Sequence, residues 1–201
     1  MSVVIGYKGK DCCWLACDQQ VTIGSVKMNL GTNHNKVFHV VDRPGCIMGS
    51  AGFLRGVNLV ETNNLYVDEL SYAREEIDYF YMVNVFPDLM STLFTAHKFI
   101  APSEDKTLDL KNDFIFASDR NLFSVGFDGS VVEVEDYFAI GSGMESALGV
   151  MASYDMAKEL SDEEVIDMLS RAVLAASTHS IGCGGDAMII NTKDDKIYKI
   201  Q

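Results

Sequence analysis

The strand signals of this chain come in blocks, and that grouping restricts its fold more than any other feature. Residues 3–7 form a short apolar run rich in β-branched side chains, Lys8-Gly9-Lys10-Asp11 makes a turn, and residues 12–17 form a second run. The first 18 residues therefore read as a hairpin. Residues 26–30, 36–41 and 46–51 follow as strands, the last two separated by the strong turn Asp42-Arg43-Pro44-Gly45. A second block comprises residues 114–117, 121–125 and 131–134, with Gly126-Phe127-Asp128-Gly129 as one of its turns. A third, residues 187–191 and 196–200, closes as a hairpin around Asp194-Asp195. Between the blocks the apolar period changes to that of a helix.

Phe53, Val57, Val60, Asn64, Val67 and Leu70 share one side of a long helix. Pro87 suits the first position of a second, with Asp88 in its first turn and Leu89, Leu93, Phe94 and His97 on one face. The polar stretch 101–113 reads as a loop. Gly141-Ser142-Gly143 introduces a third helix to about residue 159, and Ser161-Asp162-Glu163-Glu164 is a capping box for a fourth to about residue 177. Gly182-Cys183-Gly184-Gly185 then breaks the chain. Strands gathered apart from helices indicate an α+β layer architecture rather than βα alternation. Two sheets facing each other, with a helix pair on each outer face, would bury every apolar face.

The chain has 201 residues, 48% hydrophobic and 22% charged, which fits one domain spanning 1–201 with ample material for a core. No apolar run is long enough to cross a bilayer, and the N-terminus lacks a secretory pattern. The net charge of −13 disfavours nucleic acid and anionic membranes as partners. Five cysteines, at 12, 13, 17, 46 and 183, make an odd count with three on one strand. That argues for reduced thiols in a cytoplasmic protein. Cys12 and Cys13 point to opposite faces of a strand, so they are poor partners for one metal, and no metal or cofactor is expected.

Ser2 carries the chemistry. Removal of Met1, which needs only a methionine aminopeptidase, would leave Ser2 with a hydroxyl nucleophile and an amine able to take its proton. That is the economy of an N-terminal-nucleophile (Ntn) hydrolase. Alone, a small second residue signifies only easy removal of Met1. The following text gives it weight: a strand, a turn, a strand ending at Asp18, and then Lys36.

Several motifs in register resemble the proteasome β-subunit and HslV peptidase family, over essentially the whole chain. They are Ala16-Cys17-Asp18-Gln19-Gln20-Val21-Thr22, Asn35-Lys36-Val37-Phe38-His39-Val40 and Gly49-Ser50-Ala51-Gly52. Phe138-Ala139-Ile140-Gly141-Ser142-Gly143 with Ala147-Leu148-Gly149, and Ala175-Ala176-Ser177 leading to Gly184-Gly185-Asp186, complete the set. The resemblance implies the Ntn-hydrolase fold, a four-layer αββα sandwich of two antiparallel sheets flanked by helix pairs. It implies a peptidase that works through an acyl-enzyme inside homo-oligomeric rings, on unfolded polypeptides supplied by an AAA+ ATPase.

By the same resemblance Ser2 is the nucleophile and Asp18 and Lys36 are the acid and lysine beside it. Gly52 donates its N–H to the oxyanion, and Ser142 supports the proton network. Val21, Ser50 and Leu54 line the specificity pocket. Singly, each has a plain reading: Asp18 ends a strand, Lys36 opens one at the surface, Ser142 caps a helix, and Gly52 turns a strand into a helix. The chain also departs from the family. Ser180 and Cys183 stand where many members have an aspartate and a serine, and the segment 31–34 before Lys36 is longer by about two residues in this alignment. One orienting carboxylate is thereby absent, and Cys183 is a weak hydrogen-bond partner. These departures favour an alternative, a catalytically degraded structural or adaptor subunit. An Ntn hydrolase of small amides is a third reading.

Overall fold

The computed structural model describes residues 2–31, 34–40, 43–63, 77–101, 108–194 and 196–200. β1 (Val4–Lys8) and β2 (Cys13–Cys17) form the expected hairpin, with Gly6 opposite Leu15. β3 (Gln20–Ile23) and β4 (Val26–Asn29) make a separate two-stranded ribbon. Then come β5 (Val37–His39), β6 (Cys46–Gly52), α1 (Leu54–Thr62), α2 (Tyr79–Asn84) and α3 (Phe86–Ala96). β7 (Asn112–Ser118), β8 (Asn121–Val125), β9 (Val131–Glu133) and β10 (Tyr137–Ile140) follow. α4 (Met144–Met151), α5 (Asp162–His179), β11 (Ala187–Asn191) and β12 (Tyr198–Ile200) complete the described elements.

Two five-stranded sheets result, in the orders β10-β1-β2-β11-β12 and β5-β6-β7-β8-β9, and each neighbouring pair is antiparallel. The period of two along a strand divides the apolar residues among three clusters. Trp14 and Ala16 on β2 join Met168, Leu169, Ala172 and Val173 of α5. Phe114 and Phe116 on β7 join Met82 of α2 and Phe86, Met90 and Phe94 of α3. The intervening residues Cys13, Leu15 and Cys17 of the first sheet share a third cluster with Ile47, Ile115, Ala117 and Leu122 of the second. β2 and β7 are therefore covered on both faces. Phe86 meets Phe116 edge-on at 5.6 Å, and each fully buried ring of this kind is worth about 1.5–3 kcal/mol.

The helices differ from expectation at identifiable points. The capping box forms as read: Ser161 Oγ accepts the Glu164 N–H, and Glu164 accepts the Ser161 N–H. The helix expected to reach residue 159 stops at Met151. Ser153 turns back onto the Val150 carbonyl through both its N–H and its hydroxyl, and Asp155 captures the Ala157 N–H, so local polar bonds outcompete the helix there. α2 was not expected; Asp78 caps it by accepting the Tyr81 N–H at 2.8 Å. Part of the expected first helix (Asn64, Val67, Leu70), much of the polar stretch 101–113, Asp42, Asp195 and Met1 lie outside the described residues. All five cysteines are buried thiols. Among the described residues, no helix is long and apolar enough to cross a membrane.

Candidate functional site

Asp18 follows the last residue of β2 and is completely buried. A carboxylate so placed needs a donor for each oxygen, and it has four in all. Oδ1 accepts the Val3 N–H at 3.0 Å and Lys36 Nζ at 2.7 Å. Oδ2 accepts the Gln20 N–H at 3.1 Å and the Gly184 N–H at 3.0 Å. Lys36, just before β5, is also buried, and its Nζ donates a second bond to the Gln20 carbonyl at 2.5 Å. Its own carbonyl accepts the Ser50 N–H at 3.0 Å, which fixes β5 against β6. The plain reading of Lys36 as a surface lysine is thus excluded.

Ser2 lies one residue before the amide held by Asp18. Its carbonyl accepts the Gly143 N–H at 3.2 Å and the Ser142 hydroxyl at 3.5 Å. Gly141 lies at φ +89°, and a Cβ there would overlap the Ser2 carbonyl oxygen, so glycine is required on both counts. Ser2 and Lys36 line a cleft of about 50 Å³ with Gln20, Val21, Thr22, Gly52, Leu54 and Val57. Gly52 ends β6 at φ +144°, and a Cβ there would come within 2.8 Å of the Lys111 carbonyl oxygen.

Asn112, buried at the start of β7, holds the turn that follows Gly52. Its Oδ1 accepts the Phe53 N–H at 3.2 Å, and its Nδ2 donates to Ser50 Oγ at 3.0 Å and to the Phe53 carbonyl at 3.1 Å. Ser50 is consequently buried behind the wall with its hydroxyl engaged, and it is not among the residues lining the cleft.

On the other side of Ser2, Ser142 Oγ accepts the Ser180 hydroxyl at 3.3 Å and lies 3.9 Å from Cys183 Sγ. Burial, with the Asp18 charge adding to it, pushes the Cys183 thiol above its ordinary pKa. Cys17, beside Asp18 in sequence, is pushed up to about 12 by burial. Both are therefore thiols at neutral pH rather than nucleophilic thiolates.

The fold thus brings together Ser2, Lys36, Gly52, Val21 and Leu54 at the cleft, Asp18 behind Lys36, and Ser142 at the Ser2 carbonyl with Ser180 and Cys183 against Ser142. Sequence reasoning missed Gln20, Thr22, Val57 and Asn112. Gln20 meets Asp18 and Lys36 through its backbone N–H and carbonyl, and nothing in a side-chain motif announces that.

The family model described as Proteasome subunit matches residues 115–192, from within β7 to just past β11. Proteasome subunit beta type-3 of Saccharomyces cerevisiae is 23% identical over 98% of this chain and 91% of its own length. The proteasome subunit beta of Archaeoglobus fulgidus is 22% identical over 98% and 88%. The chain is similar to proteasome β subunits along nearly its whole length. A solved structure of Thiobacillus denitrificans BPH superposes with a TM-score of 0.75 at 20% identity, covering 99% of this chain and 98% of that one. BPH in complex with epoxomicin gives a TM-score of 0.69 at 20% identity, covering 99% of each chain. The proteasome-like likeness therefore embraces the N-terminal half, where Ser2, Asp18, Lys36 and Gly52 lie, as well as the stretch that the family model matches.

Proposed function

We propose that this chain is an N-terminal-serine peptidase subunit. The observation that carries the reading is the buried Asp18–Lys36 pair at 2.7 Å, whose lysine shares one small cleft with Ser2 and Gly52. Once Ser2 is the terminal residue, its amine has an unperturbed pKa of about 8 and takes the hydroxyl proton. Ser2 Oγ attacks the scissile carbonyl, and the proton passes to the leaving amine. The Lys36 cation favours the developing alkoxide, and the Gly52 N–H faces the oxyanion. Water then cleaves the acyl-enzyme and restores Ser2. Val21 and Leu54, with Thr22 and Val57, give an uncharged surface for a substrate side chain.

The wider assignment follows the same reading: one domain over 1–201, with the three apolar clusters stacked as a helix–sheet–sheet–helix sandwich. The subunits form homo-oligomeric rings in the cytoplasm, work without a cofactor, and receive unfolded polypeptides from an AAA+ ATPase. One observation favours a second reading, a shell subunit with degraded catalysis: the group beside Ser142 is Ser180 and Cys183, without a carboxylate.

Intact mass of the purified protein reports whether Ser2 is terminal. Processed protein should hydrolyse fluorogenic peptides, gain the mass of epoxomicin on incubation, and lose both properties on Ser2→Ala. Processed, assembled protein that does neither would refute the peptidase reading and leave the shell reading. A stable monomer by native mass measurement would refute the ring.

A further inference from the structure

Helix α1 touches the site at both of its ends. At its start, Phe53 is pinned by Asn112, and Leu54 and Val57 line the cleft. About 10 Å further along the axis, Glu61 reaches out to the segment that precedes Lys36. Its Oε1 accepts the Asn35 N–H at 3.1 Å, and its Oε2 lies 3.3 Å from His34 Nδ1. The Glu61 side chain is only 14% exposed, whereas His34 is 61% exposed. The bond to Asn35 is thus the sheltered one, and a carboxylate acceptor makes it stronger than a neutral pair. Asn35 does not fix itself: its buried Oδ1 has no hydrogen-bond partner among the described residues. The helix is in turn tethered by Arg55, whose Nη2 donates to the His97 carbonyl at the end of α3.

We propose that Glu61 is a positioning residue for Lys36, holding the 34–35 backbone so that Nζ reaches Asp18 Oδ1 and the Gln20 carbonyl together. The segment is gripped from two sides. Glu61 takes the Asn35 N–H, and Ser50 donates to the Lys36 carbonyl. With only the second grip, the main chain at residue 35 can swing, and the lysine gives up one of its two acceptors. Its effect on rate rests on the peptidase reading; its geometry does not.

The test compares Glu61→Ala and Glu61→Gln in the full, assembled chain. Glu61→Gln keeps an oxygen for the Asn35 N–H and loses the charge. Glu61→Ala should lower kcat for a fluorogenic peptide by about 10-fold with KM within about twofold, and Glu61→Gln should recover most of it. Amide exchange over 35–37 should accelerate about 10-fold in Glu61→Ala and little in Glu61→Gln, while β11 amides stay unchanged. Unaltered exchange over 35–37 in Glu61→Ala would overturn the grip, whether or not the wild type is active. Accelerated exchange with unaltered kcat would overturn the role in catalysis. A wild type that is processed yet inactive refutes the peptidase reading instead, and the exchange data still decide the grip.

Discussion

Two groups of polar side chains flank Ser2, and they are built to different standards. On one side Asp18 and Lys36 are buried, and the carboxylate accepts four bonds of 2.7–3.1 Å. On the other side Ser142, Ser180 and Cys183 form an uncharged chain whose contacts run 3.3, 3.5 and 3.9 Å. The first is a charge pair whose every member must be present, because either partner alone would be a buried, uncompensated charge. The second tolerates change, since none of its members is charged and the exposed Ser142 and half-buried Ser180 hydroxyls can exchange their bonds for water, while the buried Cys183 thiol is only a weak partner.

The largest effect is expected from breaking the first group. Lys36→Ala and Asp18→Ala should each lower unfolding free energy by about 3–5 kcal/mol. The double variant should cost less than the sum of the two, because it removes both charges. Denaturant midpoints across that cycle measure the coupling. Additive losses would mean that the pair is not the unit described.

A smaller effect is expected at Asn112, which fixes the Gly52 turn through three neutral hydrogen bonds. Asn112→Ala should cost about 1–3 kcal/mol through the unsatisfied Phe53 N–H and the void beside the turn. Ser50→Ala, which removes one acceptor only, should cost about 1 kcal/mol or less. Thermal unfolding ranks the two. If Ser50→Ala proved the costlier, the turn would be held by Ser50 rather than by Asn112.

The legibility of the site follows the same division. Asp18, Lys36 and Gly52 each sit at a strand boundary, which by itself gave each a plain reading; the resemblance of several motifs in order is what singled them out. Ser2 was readable through its place ahead of that frame. β3 was not, since Gln20–Ile23 begins with a polar residue and, among the described residues, pairs only with the exposed β4. Ser50 was expected at the pocket by resemblance alone. It shares the β6 face of Cys46 and Met48, and its hydroxyl is held there by the Asn112 amide, a tertiary contact spanning 62 positions that no local pattern encodes. The overlong third helix failed for a local reason: Ser153 and Asp155 bond to nearby backbone, and apolar period does not register that competition.

The smallest effect on stability, and the most informative for function, lies in the second group. Ser180→Asp should change unfolding free energy by less than about 1 kcal/mol, because the position is half-buried and holds no paired charge, and Cys183→Ser by about 1 kcal/mol, because its buried hydroxyl keeps Ser142 as a partner. Their effect on rate should differ. Cys183→Ser replaces a weak partner of Ser142 with a stronger one and should change hydrolysis by about twofold or less. Ser180→Asp places a carboxylate where Ser180 Oγ now donates to Ser142, 3.3 Å away. Ser142 would then donate to that carboxylate and turn its lone pairs toward Ser2, which suits a proton relay near the terminal amine. The rate should rise about 3- to 10-fold, with the gain vanishing on Ser142→Ala. A gain that survives Ser142→Ala would be a general effect of added negative charge. No gain would mean that the looser group imposes no catalytic penalty, so that the Asp18–Lys36 frame alone determines whether Ser2 works.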